Sequence, residues 1–354
     1  MTGLVDGTAP VREGEELDSA ALGRYLCDTL DGMSGPLDIE QFPSGHSNLT
    51  YLIRAGGREL VLRRPPFGST VKSAHDMGRE FAVLSKLCRA YAPAPAPLAY
   101  CEDAGVIGAP FYVMKRLRGS ILRSRKPKDL AVDPALARAC CQSFIDNLAD
   151  LHALDFRAIG LDTLYKGEGY VDRQVKGWSK RYRDAQTDDI AEIDRLMEWL
   201  DGRIPADTGA VLVHNDYKFD NIVLDPGNLT RIIGVLDWEM ATIGDPLADL
   251  GTSLGYWVEK NDDEMHVVQC FMTTEPGAMT RLELAEAYAA RTGRDISNLL
   301  FYYLLALLKL AVIVQQIYYR YKKGLTQDER FAVLIFMVQT LGRKAVSAIE
   351  TGKV

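Results

Sequence analysis

The sequence predicts an α+β chain in two lobes, a small N-terminal sheet lobe and a large, mainly helical C-terminal lobe. Three observations carry this: strand-and-turn patterning through the first 115 residues, helical periodicity from about residue 130, and one strand-rich island inside the helical part. The expected boundaries are an N-terminal lobe with a leading helix or tail over 1–115, a hinge and linker over 116–130, and a helical lobe over 131–354. With 354 residues, 47 % of them hydrophobic, the chain is long enough for two such lobes. Disorder is excluded as the dominant state.

The elements follow in order. Leu49–Arg54 and Glu59–Arg64 are strands about the turn Ala55-Gly56-Gly57-Arg58, and Pro65-Pro66 stops the second. Met77, Phe81, Leu84 and Leu87 space a helix over about Ser73–Arg89. The Ala/Pro run Tyr91–Pro97 is an extended connector, and Phe111–Met114 is a buried strand. Leu136, Cys140, Phe144, Leu148 and Leu151 form one face of a helix over Pro134–Leu154, and Tyr170–Tyr182 and Ile190–Leu200 continue the series. The island, 211–237, holds Val211–Val213, Ile222–Leu224, a turn at Asp225-Pro226-Gly227-Asn228 and Ile232–Leu236. Helices resume near Leu247, Thr280, Asn298 and Thr326. Before Lys309, the apolar run Leu299–Leu308 is ten residues long. A bilayer span needs about 20, so a buried helix is expected there, its one lysine snorkelling or paired.

The charge balance is 41 Lys+Arg against 48 Asp+Glu, a net of −7, which argues against a bulk grip on nucleic acid. Six Cys without a CxxC pair and five His without an HxxxH pair give no disulfide scaffold and no zinc site. Met1–Glu16 has no apolar run behind a basic end. A cytoplasmic chain with free thiols and no membrane span is expected.

The densest polar cluster is His214-Asn215-Asp216-Tyr217-Lys218-Phe219-Asp220-Asn221, with a hydrophobic strand on each side. Asp216 and Asn221 are five apart, and sixteen residues beyond Asn221 the next strand ends in Asp237-Trp238-Glu239. A hairpin would return Asp237 to Asn221 and set two oxygen ligands together, with a third carboxylate nearby. Mg²⁺ takes such ligands and completes its shell with water and phosphate oxygens. Asp216 is then placed to receive a proton from a hydroxyl. Asp and Asn also decorate ordinary turns, but three of them at strand ends around one hairpin match the division of labour of a kinase catalytic loop and its metal Asp.

Further motifs are Phe42-Pro-Ser-Gly-His-Ser-Asn-Leu-Thr-Tyr, Val61-Leu-Arg-Arg-Pro-Pro, Phe111-Tyr-Val-Met, Leu151-His-Ala-Leu-Asp, Leu236-Asp-Trp-Glu and Gly244-Asp-Pro-Leu-Ala-Asp-Leu-Gly. Over roughly Ile39–Arg343 the sequence resembles the aminoglycoside phosphotransferase family of small-molecule kinases, with their bilobal protein-kinase-like fold. Within it, the sequence is similar to the branch of kinase-like domains attached to, or encoded near, acyl-CoA dehydrogenases.

That resemblance implies ATP and Mg²⁺ as cofactors. It implies Asp216 as catalytic base, Asn221 and Asp237 as metal ligands, and His214 as a structural buttress of the loop. The family more often has Gly where this chain has Asn215. Asp245, before Pro246, is expected to cap a helix, and Asp249 to hold the loop backbone. Ser44, Gly45, Ser47 and Asn48 take the place of a phosphate clamp, where an ordinary Ser/Asn turn is the alternative. Arg63 takes the strand-Lys position and Glu80 its helix partner. Adjacent strand residues face opposite ways, so Arg64 is expected to be a solvated surface charge. Met114, Lys115 and Leu117 resemble the hinge that receives adenine.

The implied activity is transfer of the γ-phosphoryl group to a hydroxyl of a small molecule, with hydroxyacyl-CoA or a hydroxy acid favoured. Acceptor-pocket candidates include Tyr170, Trp178, Tyr182, Tyr256, Tyr302 and Tyr303. Alternatives are an aminoglycoside, amino-alcohol or sugar kinase, and a nucleotide-binding regulatory module of pseudokinase type. Among partners, a functional link to an acyl-CoA dehydrogenase and a homodimer through the aromatic C-terminal region stay open.

Overall fold

The computed structural model describes residues 5–43, 48–67, 76–128, 130–262, 265, 270–326 and 328–354. The chain divides into two compact units, one formed by Met1–Ile121, Arg157–Leu161 and Asn221–Ala241, the other by Leu122–Phe156, Asp162–Asp220 and Thr242–Val354.

In the first unit the central hairpin follows from its turn. Gly56 and Gly57 take φ of 56° and 75°, a conformation glycine adopts without a Cβ penalty. They join β2 (Leu49–Ala55) to β3 (Arg58–Arg64). With β1 (Asp38–Gln41), β4 (Pro97–Cys101) and β5 (Phe111–Lys115) they form an antiparallel sheet in the order β1-β2-β3-β5-β4. Tyr51, Ile53, Leu60, Leu62, Phe111 and Val113 bury one face with Leu22 and Leu26 of α1 (Ser19–Thr29). Asp18 caps α1, accepting the Ala20 and Ala21 N–H groups, and Asp76 caps α2 (Met77–Leu87), accepting the Arg79 N–H. β7 (Ile222–Asp225) and β8 (Asn228–Val235) form a separate antiparallel pair in this unit.

The second unit is mainly helical, with α3 (Pro134–His152), α4 (Tyr170–Ala185), α5 (Ala191–Asp201), α6 (Pro246–Tyr256), a short α7 (Phe271–Thr274), α8 (Arg281–Thr292), α9 (Leu299–Lys322) and α10 (Leu334–Thr351). Strand β6 (Val211–Val213) pairs with β9 (Thr242–Gly244), a three-residue strand too short to leave a pattern in the sequence. β6 therefore stands apart from the β7–β8 hairpin. Asp245 caps α6 and Pro246 begins it, as the Asp-Pro pair predicts. α6 approaches α9 closely because Gly251 leaves room: a Cβ there would lie 2.5 Å from the Tyr302 carbonyl oxygen.

By length and composition α9 and the stretch Glu329–Thr351 could each cross a membrane, and 72 % of the α9 window is buried inside the protein. α4, α5, α6 and α10 pack on α9. Tyr182, Tyr302 and Tyr303 lie in this interior as core. Among the described residues none of the cysteines forms a disulfide.

Candidate active site

In the first unit Arg63 forms the centre of a buried ion network. Its Nη1 lies 3.1 Å from Glu80 Oε1 and its Nη2 lies 2.9 Å from Asp237 Oδ1. The register opposes Arg63 to Thr50 on one side and Tyr112 on the other. Burial works against the Arg63 charge, but the carboxylates of Glu80 and Asp237 outweigh it and hold the guanidinium protonated well above its ordinary value. The Trp238 N–H donates to Glu80 Oε1 at 3.1 Å. Arg79 donates to the carbonyls of Glu239 and Ala241, and Asn48 Nδ2 donates to Glu239 Oε2 at 2.7 Å. Helix α2 and the start of β2 thus hold the segment 237–241, in which Asp237 takes a left-handed φ of 70°.

Arg64 corrects one expectation. It is a buried side chain, 1 % exposed, whose Nη1 donates to the Ile107 carbonyl at 2.9 Å and whose guanidinium stacks on Phe67 at 3.6 Å. Strand alternation sends it away from Glu80, but the opposite side is also covered.

The β7–β8 ladder brings Asn221 and Asp237 together. Ile222 opposes Val235, and the Leu236 N–H donates to the Asn221 carbonyl at 2.8 Å. One amide and one carboxylate are hard oxygen donors. Among the described residues no group of three His, Cys, Asp or Glu forms a metal cage. Such a pair fits Mg²⁺ held jointly with phosphate oxygens. Two buried polar atoms nearby, Arg63 Nε and Asn48 Oδ1, have no hydrogen-bond partner among the described residues.

Ser44, Gly45 and Ser47 lie outside the described residues, as do His46, His75, His266, Asp263 and Glu264. Met114 is buried in β5, and Leu117 is half-buried. The Lys115 N–H donates to the Ala96 carbonyl at 2.9 Å, so that donor serves the fold and not a base.

In the second unit β6 delivers His214, Asn215 and Asp216 to the rim of the helices. Asp249, fully buried on α6, accepts the His214 N–H and the Asn215 N–H, each at 2.7 Å. His152 Nε2 donates to the same carboxylate at 3.1 Å, and its Nδ1 lies 2.7 Å from the Tyr288 hydroxyl. Burial alone would raise the Asp249 pKa, but His152 and the donated N–H groups hold it below the ordinary carboxylate value. The Asp216 N–H donates to His214 Nδ1 at 3.2 Å. Tyr217 anchors the next turn, donating its hydroxyl to the Phe144 carbonyl at 2.9 Å.

Asp249→Ala is expected to lower stability by about 3 kcal/mol or more, since two buried N–H groups lose a charged acceptor at about 1–3 kcal/mol each. Urea unfolding checks this, and a loss below about 0.5 kcal/mol would contradict it. Because the folded pKa is depressed, the carboxylate's contribution is present above the ordinary value of 3.8 and is lost as the pH falls through the folded value.

Lys218 was not singled out from the sequence. Its Nζ lies 3.0 and 2.9 Å from the two Asp216 carboxylate oxygens and 4.3 Å above the Tyr256 ring. Burial lowers its pKa, but Tyr256 and Asp216 outweigh burial and the net shift is upward. The available signal was position, a basic residue two after the candidate base. A small recess opens beside it, lined by Lys218, Asp220, Tyr256, Trp257, Cys270 and Thr273 among others.

Comparison with known proteins gives the family. Residues 38–293 match the profile of the phosphotransferase enzyme family. Acyl-CoA dehydrogenase family member 11 of Gallus gallus is 36 % identical over 349 residues, 96 % of this chain and 44 % of that protein. Acyl-CoA dehydrogenase family member 10 of Mus musculus is 35 % identical over 90 % of this chain and 30 % of its own length. The chain therefore spans less than half the length of these relatives. Among solved structures, a candidate aminoglycoside phosphotransferase from Ralstonia eutropha aligns with a TM-score of 0.77 at 29 % identity, covering 94 % of this chain and 99 % of the other. A choline kinase from Cryptosporidium parvum aligns at 0.62 with 13 % identity over 95 % and 97 %, a likeness of fold alone.

Proposed function

Because this chain belongs to the phosphotransferase enzyme family, we propose that it transfers the γ-phosphoryl group of ATP to a hydroxyl of a small molecule. Asp216 accepts the hydroxyl proton as the acceptor oxygen bonds to the γ-phosphorus and the bond to the bridging oxygen of ADP breaks. Asn221 and Asp237 would hold Mg²⁺, which would supply positive charge to offset that of the phosphates. Arg63 fills the strand-Lys role, since its fork can engage a carboxylate and a phosphate together. Ser44, Gly45, Ser47 and Asn48 receive phosphates, and backbone groups of 114–117 other than the Lys115 N–H receive adenine. The observation that carries the reading is Arg63 joined to both Glu80 and Asp237.

The proposed acceptor is a hydroxyacyl-CoA or a related hydroxy acid. It is supported by the likeness to acyl-CoA dehydrogenase family members across nearly the whole chain. A second reading, a nucleotide-binding regulatory module, is favoured by Arg63 where protein kinases carry Lys. ADP release with Mg·ATP over a panel of hydroxyacyl-CoAs, hydroxy acids, sugars, amino alcohols and aminoglycosides separates the two. Acceptor-dependent release confined to the first two classes is expected. Mg·ATP binding with no acceptor-dependent release over the whole panel would favour the module.

A further inference from the structure

We propose that Lys309 is a positioning residue for phosphoryl transfer: its ammonium group holds the Asn215 carbonyl and, through it, the left-handed turn that carries Asp216. This rests on the assignment of Asp216 as base.

Lys309 lies mid-way along α9 in an otherwise apolar stretch and is 5 % exposed. A buried ammonium is costly unless it is partnered. Here Nζ donates to the Asn215 carbonyl and lies 3.4 Å from Thr252 Oγ1 on α6, with the Trp178 ring 5.9 Å away. Asn215 has φ of 64° and, with Asp237, is one of two non-glycine residues at positive φ among the described residues. Asn tolerates this region better than most residues but less freely than Gly. Three helices hold it there. Its N–H goes to Asp249 on α6, its Oδ1 accepts from the Tyr170 hydroxyl on α4 at 3.0 Å, and its carbonyl accepts from Lys309 on α9. Side-chain anchors thus do what a glycine would do by its own freedom, and Lys309 is the cation among them.

The charges facing Lys309 are Asp216 and Lys218 of the loop, Asp249 of α6 and Arg181 of α4. α5 and α10, also packed on α9, supply none of these. Burial dominates and lowers the Lys309 pKa to about 8. The anchor is charged at neutral pH and loses its charge as the pH rises through about 8.

The first test reads the loop without chemistry. Amide exchange at 214–217 is expected to quicken about 10-fold or more in Lys309→Met and to stay within about 3-fold in Lys309→Arg. In an Asn215→Gly background Lys309→Met should cost less than about 3-fold, because glycine holds the turn unaided. A lysine side-chain NMR signal absent from Lys309→Arg should titrate near 8. With Mg·ATP, Lys309→Met should lower kcat about 10-fold at unchanged KM for ATP. The wild-type kcat should fall above pH 8 and that of Lys309→Arg should not. Unchanged loop exchange and kcat in Lys309→Met, or quickened exchange spread uniformly over α6 and α9, would overturn the proposal. If Asp216→Asn keeps its turnover while Lys309→Met still loosens the loop, the base assignment fails and the anchor stands.

Discussion

Asp216→Asn is expected to lower acceptor-dependent ATP turnover by roughly 10²–10⁴-fold, the usual worth of a positioned general base. Mg·ATP affinity should stay within about 3-fold, because the substitution touches neither Asn221 nor Asp237. The change is nearly isosteric and leaves the backbone anchors in place: the Asp216 N–H on His214, and the preceding N–H groups on Asp249. What disappears is the proton acceptor and the negative partner of Lys218, whose Nζ lies 2.9 Å from the Asp216 carboxylate. Single-turnover kinetics separate the two effects. A variant that lost ATP affinity but kept its turnover at saturating ATP would contradict the role.

Arg63→Met is expected to destabilise the fold by about 3–5 kcal/mol, the cost of leaving one partner of a buried ion pair uncompensated. Arg63 and Glu80 have side chains 9 % and 1 % exposed, so solvent does little to screen the orphaned carboxylate. The double variant Arg63→Met/Glu80→Leu should recover most of that loss, since an apolar pair of similar volume substitutes well for a buried ion pair. It should still bind Mg·ATP poorly, because Asp237 has lost its guanidinium partner. Arg63→Lys should fold and bind less tightly than wild type, since one ammonium cannot fork to Glu80 and Asp237 as the guanidinium does. Denaturant unfolding and nucleotide titration check both. Equal stability of Arg63→Met and wild type would show that the network carries little of the fold.

The sheet lobe was legible because its hairpin is written in local chemistry: alternating residues, a Gly-Gly turn and a Pro-Pro stop. So was the α6 cap, because Asp-Pro has a local mechanism, and the Asp249 anchor, through the motif that contains it. Arg64 was misread because period-two alternation tells which faces differ and not what covers each face; Ile107 and Phe67 cover the second one. β6 was read as Val211–Val213, but its partner β9 was missed, because Thr242–Gly244 is too short to show a period and carries no apolar run. Lys218 and Lys309 were invisible as site residues because their partners arrive from tertiary packing, Tyr256 for the first and Asn215 for the second. Asn215 looked like a local departure from a familiar glycine. The three helices that hold it explain how an asparagine keeps a positive φ there.

ADP release, measured side by side for the wild type and Asp216→Asn with Mg·ATP and the hydroxylated acceptor panel, tests the central claim most directly. The account predicts release that depends on an acceptor, appears with hydroxyacyl-CoAs or hydroxy acids, and is lost in Asp216→Asn. Acceptor-dependent release that survives in Asp216→Asn at the wild-type rate would contradict it.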